Sequence, residues 1–340
     1  MHTEKRPQHQ RFYPHNPVRK FDITEDSRIY WTPDPSKYTG PIRPLTSERE
    51  FLRDNDWLDT LIAGARSREM RTGCEVSHTI IDAEIARSEY PEVLQRDVYG
   101  ELVNPMPVAP EARRALPCLN NEAVRDYLIG LFTDLAANHD IDFVQTCLVL
   151  FSAGGGYAGR MGGSPVAEWH RLIDTATGGC FCPICEAKAR TEGLDWDQMR
   201  SETRRIADLA TSNGLEALHE GQVLAGSGDS MSATALVLEN PAFTAWLQFR
   251  IRSVTSLFKT IHDALRDTRP EVEFRYNTYV GDPEMHGLDF VSAFQHVDSV
   301  RESDYSDQRG TIEGLETKRK KLFKARRALS YDKPLIAALG

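Results

Sequence analysis

One pattern constrains the fold of this chain more than any other: five times, a segment with helical spacing of apolar residues is followed by a short β-rich run. A helix between two strands returns the chain to the same end of the sheet, so the strands it joins run parallel. The sequence therefore predicts a parallel α/β sheet. The predicted helices are 46–70, 121–138, 241–267, 287–294 and 312–329, and the strands that follow them are 72–81, 143–151, 272–280, 296–300 and 334–339.

A parallel α/β sheet is usually either doubly wound or closed into an eight-stranded barrel. The glycine-rich stretch 154–159 follows a strand, but the residues after it do not begin a helix, unlike a nucleotide-binding turn. Long segments follow two strands, at 82–119 and 152–180, and barrels build their sites from such loops. We therefore predict a (β/α)8 TIM barrel over 46–340. Only five strong strands are present and the chain stops on the last of them, so either some strands are weak in sequence, with one of them in the arm, or the barrel is incomplete because the chain is truncated.

The first 45 residues are predicted to form an irregular arm in front of the barrel. Seven of the 18 prolines lie there, which excludes a long helix because proline lacks the backbone donor and clashes with the preceding turn. Apolar and polar residues alternate over 20–31 around the turn-like 25–27, which predicts a short β-hairpin within the arm.

Composition limits the partners of the chain. With 41 Lys and Arg against 50 Asp and Glu, the net charge is −9, so no excess positive charge is present to neutralise a nucleic acid backbone. No apolar run approaches the roughly 18 residues that span a bilayer, and the first ten residues are polar. We therefore expect no nucleic acid, no membrane contact and a cytoplasmic location, while a homo-oligomer remains compatible with the sequence.

Two polar segments are predicted to carry no chemistry. The basic run 318–327 is interpreted as the solvated face of a helix. The segment 199–231 is polar and rich in Gly and Ser near its end, and we interpret it as an excursion between helices. The residues of the basic helix predicted to face inward are Leu315, Leu322, Phe323 and Leu329.

Three of the six cysteines lie in Cys180–Cys185, in the order Cys-Phe-Cys-Pro-Ile-Cys. Cysteines one residue apart form a strained disulfide, whereas three thiolates at about 2.3 Å from one ion suit tetrahedral zinc. The fourth ligand would be Cys118, in a turn before a helix, or alternatively His170. Four thiolates leave no open position, so such a zinc would be structural. Cys74 and Cys147 lie inside predicted strands and are interpreted as core residues.

Three stretches around these cysteines resemble the central part of the glycoside hydrolase family 42 β-galactosidases and their barrel relatives. They are 90–100, 117–127 and 180–190, and their order and spacing match over 72–190, about a third of the chain. The resemblance implies a (β/α)8 barrel and a carbohydrate as substrate or ligand. The structural zinc ligands that it implies are Cys118, Cys180, Cys182 and Cys185.

The chain departs from that family at the general acid. Family members carry an Asn-Glu pair at the end of the strand before the cysteine motif, whereas the strand over 141–151 has no carboxylate after Asp142. Gln145 and Thr146 cannot transfer protons as an acid does. Three hypotheses follow: a glycosidase-type hydrolase, a non-catalytic sugar-binding barrel, or a barrel lyase or isomerase.

Barrel active sites collect at the carboxyl ends of the strands, and the richest end is 298–305. Glu302 and Asp304 follow an apolar strand there, beside Arg301. We predict one of these carboxylates as the nucleophile or base, with its pKa depressed by Arg301; a loop salt bridge is the alternative. His78, at the end of the first strand, is predicted as a base or substrate contact, or else as a core histidine.

Substrate contacts are predicted at the same strand ends. Alternate residues of a strand face opposite sides, so either Asn277 with Tyr279 or Tyr276 with Thr278 can face a bound sugar. The predicted contacts are Gln145, Asn277, Tyr279 and Arg301.

Overall fold

A computed structural model gives the fold of the chain. The residues that it describes are 28–47, 50, 54–76, 81–103, 114–146, 149, 151, 178–211, 238–278, 283–303 and 310–338. No helix within these ranges is both long enough and apolar enough to cross a membrane.

The described residues contain nine strands and eight α-helices. The strands are β1 (Arg28–Ile29), β2 (Leu45–Thr46), β3 (Gly73–Val76), β4 (Ile81–Asp82), β5 (Arg114–Ala115), β6 (Phe143–Thr146), β7 (Glu273–Thr278), β8 (Ser299–Glu302) and β9 (Leu335–Ala337). The helices are α1 (Trp57–Arg66), α2 (Ala83–Glu89), α3 (Glu122–Asn138), α4 (Pro183–Thr191), α5 (Trp196–Thr211), α6 (Pro241–Thr268), α7 (Phe290–Ala293) and α8 (Ile312–Ala328).

The main sheet has the strand order β3-β6-β7-β8-β9, and every neighbouring pair is parallel. Doubly wound sheets reverse their strand order part of the way along, whereas this order follows the chain without reversal, as in a barrel. The predicted α/β class and parallel sheet are therefore confirmed. Among the described strands β3 and β9 are the outer members of this sheet, so the structure describes a five-stranded part of a barrel-like sheet.

The connecting helices α3, α6, α7 and α8 pack on one side of the sheet, which we call the helix face. Aromatic rings fill that layer: the ring of Phe274 lies 5.5 Å from Phe132 of α3 and 5.9 Å from Phe258 of α6, centroid to centroid. Tyr276 packs against Phe290 at 6.4 Å. Because side chains alternate along a strand, the residues between these point to the opposite side, which we call the inner face.

Side-chain caps determine where the helices begin. Asn121 accepts the N–H of Ala123, and α3 begins at the next residue after this cap, as predicted. Helix α1 begins at Trp57, because the Asp56 carboxylate accepts the N–H groups of Leu58 and Asp59 and so caps the helix there. Glu50, within the predicted helix 46–70, is also helical, and residues 48, 49 and 51–53 lie outside the described residues.

The described part of the arm is tied to α3 by one buried carboxylate. Asp134 accepts hydrogen bonds from Trp31 Nε1 at 3.2 Å, the Asp34 N–H at 3.2 Å and the Tyr38 hydroxyl at 2.7 Å. Burial, and then the contact with Asp134, raises the pKa of Tyr38. Residues 20–27 of the predicted hairpin lie outside the described residues, and the described strand β1 pairs in parallel with β2.

Three sequence predictions are wrong in their detail. The strand predicted at 296–300 is β8 and lies three residues later, because Phe294–His296 continues α7 as a 3-10 turn. The segment predicted as an excursion from residue 199 begins inside helix α5, which buries Trp196 and Met199. Residues 212–231 of that segment lie outside the described residues.

The third of these predictions, the inward face of the basic helix, is wrong for Leu315 and Phe323, whereas Leu329 is buried as predicted. Leu315 and Phe323 of α8 are 58% and 71% exposed, whereas Lys318 is buried. Lys318 turns inward because Glu302 of β8 lies under the helix and pairs with its ammonium group. Electrostatic pairing, rather than apolar spacing, orients this helix.

Candidate functional site

A row of polar side chains lies on the inner face near the carboxyl ends of the strands, and we call it the polar row. On β3 and β6, Glu75 and Gln145 are register partners. Gln145 Nε2 donates to Glu75 Oε2 at 2.8 Å. The amide is buried and the carboxylate half-buried, so the hydrogen bond holds the orientation of the Glu75 carboxylate.

The other part of the polar row comes from β7 and β8. Asn277 and Arg301 are register partners, and Arg301 Nη1 donates to Asn277 Oδ1 and to Ser303 Oγ, each at 3.0 Å. The Ser303 hydroxyl also donates to Asn277 Oδ1. Amide, hydroxyl and guanidinium groups are thus pre-oriented together at the carboxyl-terminal edge.

Two further charges of the inner face are paired within the protein: Arg275 of β7, which is the register partner of Gln145, and Glu273 at the amino end of the same strand. Arg275 Nη2 lies 2.9 Å from Glu273 Oε1, and its guanidinium carbon lies 3.7 Å from the centroid of the Phe143 ring. Burial would raise the pKa of Glu273, but hydrogen bonds from Ser299, Arg71 and Arg275 outweigh it and hold that pKa below its usual value. The charges of Arg275 and Glu273 are thus satisfied within the protein.

The structure brings three of the predicted substrate contacts to the polar row: Gln145, Asn277 and Arg301. Of the two alternatives predicted for β7, the structure shows the one in which Asn277 faces inward, while Tyr276 packs among aromatic rings of the helix face. Four other predicted residues lie outside the described residues. They are His78, Tyr279, Asp304 and the alternative zinc ligand His170.

Glu302, the carboxylate predicted to act with Arg301, does not lie in the polar row. It points to the helix face and is 2% exposed, with Oε2 3.1 Å from Lys318 Nζ. Arg301 and Glu302 are consecutive strand residues, so their side chains point to opposite faces. The predicted pairing of Arg301 with Glu302 is therefore corrected to a pairing of Lys318 with Glu302.

Sequence analysis missed Glu75. The residue lies between Cys74 and Val76 in β3, whereas the polar residue predicted from this strand, His78, lies at its very end. The signal that identifies it is parity: a carboxylate between two apolar residues of a strand must face the side away from the apolar layer.

The four cysteines of the predicted zinc site converge on one buried point, which we call the thiol cluster. Their sulfur atoms all lie within 4.8 Å of one another, and Cys118 Sγ lies 3.5 Å from both Cys182 Sγ and Cys185 Sγ. All four are free thiols. Tetrahedral zinc with bonds of about 2.3 Å places its sulfurs about 3.8 Å apart, so the donor set and its spacing fit that ion.

Backbone contacts hold the elements that carry the thiol cluster. The Cys118 N–H donates to the Val93 carbonyl at 2.6 Å, and the Phe181 N–H donates to the Arg96 carbonyl at 2.8 Å. Cys185 lies in the first turn of α4, where its sulfur accepts from Asn120 Nδ2 at 3.3 Å. Segments from three parts of the chain are therefore joined at one point.

The protonation of the thiols reflects their crowding. Hydrogen bonds with the neighbouring cysteines lower the pKa of Cys182 and raise those of Cys118 and Cys185. Metal ions bind thiolates, so loading this site would release protons.

A second group of side chains of the types that bind metals consists of Asp56, Asp59 and His139. Their contacts indicate a role in holding the fold together. Asp56 caps α1 and also accepts the Thr32 N–H at 3.1 Å. His139 Nδ1 lies 2.7 Å from Asp59 Oδ1. These contacts join the arm, α1 and the end of α3.

No known family model matches the sequence, and no curated protein matches it. Among solved structures, the glycoside hydrolase domain of PgaB (BpsB) from Bordetella bronchiseptica matches with a TM-score of 0.52 at 12% identity, covering 92% of this chain and 69% of that chain. This match shows that the protein has a glycosidase-like α/β fold; it does not single out family 42.

Two further matches have lower scores. The β-galactosidase of Bacillus circulans sp. alkalophilus has a TM-score of 0.40 at 20% identity, over 73% of this chain and 32% of that chain. The α-L-fucosidase isoenzyme 2 of Paenibacillus thiaminolyticus has a TM-score of 0.39 at 12% identity, over 92% of this chain and 39% of that chain. This chain spans roughly a third of the length of these two enzymes.

Proposed function

We propose that the protein is a carbohydrate-active enzyme of the glycoside hydrolase type and that sugar binds against the polar row. The observation that carries this proposal is the pre-oriented set of carboxylate, amide, guanidinium and hydroxyl groups at the carboxyl-terminal edge of the parallel sheet. Enzymes with (β/α) barrels place their sites at this edge, and these groups complement sugar hydroxyls. The fold shared with the PgaB glycoside hydrolase domain supports the same assignment.

Glycoside hydrolysis generally uses two carboxyl groups: one protonates the leaving oxygen, and the other attacks the sugar or activates water. Within the proposal, Glu75 is one of them, since Gln145 orients its carboxylate toward the inner face. Asp304 stays the sequence-predicted second carboxylate, and His78 stays a predicted base or substrate contact. Asn277 and Arg301 would bind sugar hydroxyls.

The proposal also includes the architecture and metal expected from sequence. A complete (β/α)8 barrel related to family 42 would continue the strand order of the five described strands. The thiol cluster would hold one structural zinc through Cys118, Cys180, Cys182 and Cys185. Such an ion would fix the loops around the cluster and take no part in the reaction, because four thiolates leave it no open position.

A second candidate function is sugar binding without turnover. It is favoured by the small number of carboxylates on the inner face. Among the described strand residues of the main sheet, these are Glu75 and Glu273. Glu273 lies at the amino end of β7 and is paired with Arg71 and Arg275. The described part of the polar row thus contains one carboxylate where hydrolysis generally needs two.

Turnover of a panel of aryl glycosides tests the proposal. We expect Glu75→Gln to lower kcat at least about 100-fold, the lower end of what a general acid or base contributes, while the matched control Glu316→Gln on the exposed surface of α8 stays at the wild-type rate. Full turnover by Glu75→Gln would remove that residue from the mechanism. Binding to a glycan array without hydrolysis of any bound glycan would support the second candidate instead.

A further inference from the structure

Exposed apolar side chains are concentrated on one element, the basic helix α8 and the turn after it. Eight large apolar side chains are exposed among the described residues, and four of them lie within 312–331. They are Ile312 at 82%, Leu315 at 58%, Phe323 at 71% and Tyr331 at 91%, and we call them the α8 patch. Single exposed apolar residues need no explanation, whereas a cluster of them marks an interaction surface.

The helix presents its part of the α8 patch away from the sheet. Gly314, Lys318 and Ala325 form the buried side of α8. Ile312 and Phe323 are eleven residues apart, which is about three turns, so they share a line about 16 Å long on one side of the helix. That line lies opposite the buried residues, which agrees with the exposure of both side chains.

Positive charge surrounds the α8 patch. Six basic residues lie within 319–327, whereas the acidic residues of α8 are confined to its first two turns. Lys320 and Arg327 lie three residues before and four residues after Phe323, so both lie beside its ring on the helix surface. Within the described part of the chain, the ion pairs of α8 use Lys318, Arg319 and Lys324 instead.

Cations interspersed with exposed apolar side chains are typical of a helix that lies in the interface of an anionic membrane. The apolar groups enter the boundary between headgroups and acyl chains, while long basic side chains reach the lipid phosphates. Tyr331 suits this boundary because its ring is apolar and its hydroxyl is polar. The guanidinium carbon of Arg326 lies 5.7 Å from the centroid of that ring, so charge and aromatic surface occur together here too.

The net charge of −9 does not oppose such a contact. Interactions between exposed charges are largely screened beyond about 10 Å in physiological salt. The sign of the charge on α8 itself therefore determines whether this side of the protein is attracted to an anionic surface.

Two other occupants fit the α8 patch less well. A second copy of the chain would bring two basic helices together, and their like charges repel. A nucleic acid would pair with the cations through its phosphates but would leave Ile312 and Leu315 without an apolar partner. An anionic lipid surface uses both kinds of side chain.

We propose that α8 docks the protein on the surface of a membrane that contains anionic phospholipid. The α8 patch enters the interface, and Lys320 and Arg327 pair with lipid phosphates. The sequence expectation of no membrane contact rested on the lack of an apolar run long enough to span a bilayer, and a helix that lies in the plane of the interface needs none. This docking is independent of the proposed sugar chemistry.

Co-sedimentation of the full chain with lipid vesicles tests the inference. We expect binding to vesicles of equal parts phosphatidylcholine and phosphatidylglycerol and much weaker binding to phosphatidylcholine alone, with the difference shrinking at high salt. Phe323→Ser should weaken binding to the anionic vesicles by about tenfold or more. Lys320→Gln combined with Arg327→Gln should also weaken it by about tenfold or more.

Matched controls come from residues 61–87, which flank β3 at the other end of the sheet order. Leu61 is 59% exposed, so Leu61→Ser removes an apolar side chain of similar exposure. Arg68→Gln combined with Arg87→Gln removes two exposed charges. Both controls should bind the anionic vesicles like the wild type. Thermal unfolding checks that each variant is folded, and Ile312→Ser makes the same test if Phe323→Ser does not fold.

Other outcomes would overturn the inference. No binding of the wild type to anionic vesicles would remove the membrane as the partner, and unchanged binding by the Phe323 and double charge variants would place the contact elsewhere. Loss of binding in the double charge variant alone would indicate a general site for polyanions. A wild type that is dimeric without lipid in sedimentation velocity, with a monomeric Phe323→Ser variant, would assign the α8 patch to a contact between copies.

Discussion

The two edges of the parallel sheet are held together by different chemistry. At the amino-terminal edge, Arg66 pairs with Asp140 and Asp142, each at 3.0 Å, and Arg71 pairs with Glu273 at 2.9 Å. At the carboxyl-terminal edge, where α3 begins, the thiol cluster joins the loops instead. The amino-terminal edge thus relies on partly exposed ion pairs, whereas at the carboxyl-terminal edge the thiol cluster joins the loops and Lys318 and Glu302 add one buried pair.

The two edges therefore differ in role: the amino-terminal edge stabilises the sheet, and the carboxyl-terminal edge carries the candidate site. The charged groups of the amino-terminal edge are directed at one another, which leaves them little capacity to bind a ligand. The polar row at the opposite edge faces inward, and the loops around it are gathered by the thiol cluster rather than by charges that would compete for a substrate. Barrel enzymes divide their two ends in the same way.

The largest expected effect on stability comes from disrupting the thiol cluster at the carboxyl-terminal edge. If the thiol cluster holds a metal, Cys182→Ser or exhaustive chelation should lower the free energy of unfolding by about 4 kcal/mol or more, the linkage expected when free metal exceeds its Kd a thousandfold. Thermal unfolding with and without chelator measures the change. Cys74→Ser, outside the cluster, should leave the chelator response intact, and an unchanged Tm after complete metal removal would contradict the prediction.

An intermediate effect is expected at the carboxyl end of β8, where Lys318 and Glu302 form a buried pair. Lys318→Met leaves the Glu302 carboxylate buried without its ammonium partner, so we expect a loss of about 3 kcal/mol. Urea denaturation measures it. The double variant Glu302→Leu with Lys318→Met removes both charges and should recover much of that loss; equal stability of Lys318→Met and the wild type would show that the pair contributes nothing.

The smallest effect is expected at the amino-terminal edge and depends on pH. Burial would raise the pKa of Asp142, but hydrogen bonds from the Thr72 N–H and Arg66 outweigh it and lower that pKa. Because the folded-state pKa is depressed, the stabilisation is complete above the unfolded value of about 4 and is lost as the pH falls through the folded value. At pH 7, Asp142→Asn should cost about 1 kcal/mol.

Denaturation of the wild type and Asp142→Asn at several pH values measures that difference. It should shrink as the pH falls below about 4, since both side chains are then neutral. Asp267→Asn, exposed on α6, is the control and should show no such trend. A difference that stays constant down to pH 2 would refute the electrostatic explanation.

Much of the fold is predictable from local signals. Helices α3 and α6 match their predicted ranges within one residue, because both combine a long apolar stripe with clear boundaries. The convergence of Cys118 with Cys180–Cys185 was predicted from the turn that carries Cys118 and from the family resemblance, whereas the residues alone left His170 as an alternative fourth ligand. The position of β8 was missed because a 3-10 extension of α7 delays the start of the strand.

The candidate site was harder to predict because it depends on which face each strand residue occupies. The predicted set contained Glu302 and omitted Glu75, although both are carboxylates near the end of a strand. What distinguishes them is Lys318 of α8, which pairs with Glu302 on the helix face. The apolar spacing of α8 predicted the opposite orientation for this lysine, so the decisive partner was hidden by the usual rule for amphipathic helices.

The pairing of Lys318 with Glu302 also guards against misalignment of β8. A slip of one residue would exchange the two sides of the strand, moving Glu302 inward and pressing the guanidinium of Arg301 into the aromatic layer. Lys318 would then be buried opposite a bulky cation and would lose its carboxylate partner. The pair of Lys318 and Glu302 lies on the opposite side of the sheet from the polar row, and it would nevertheless determine whether Arg301 or Glu302 faces a ligand there.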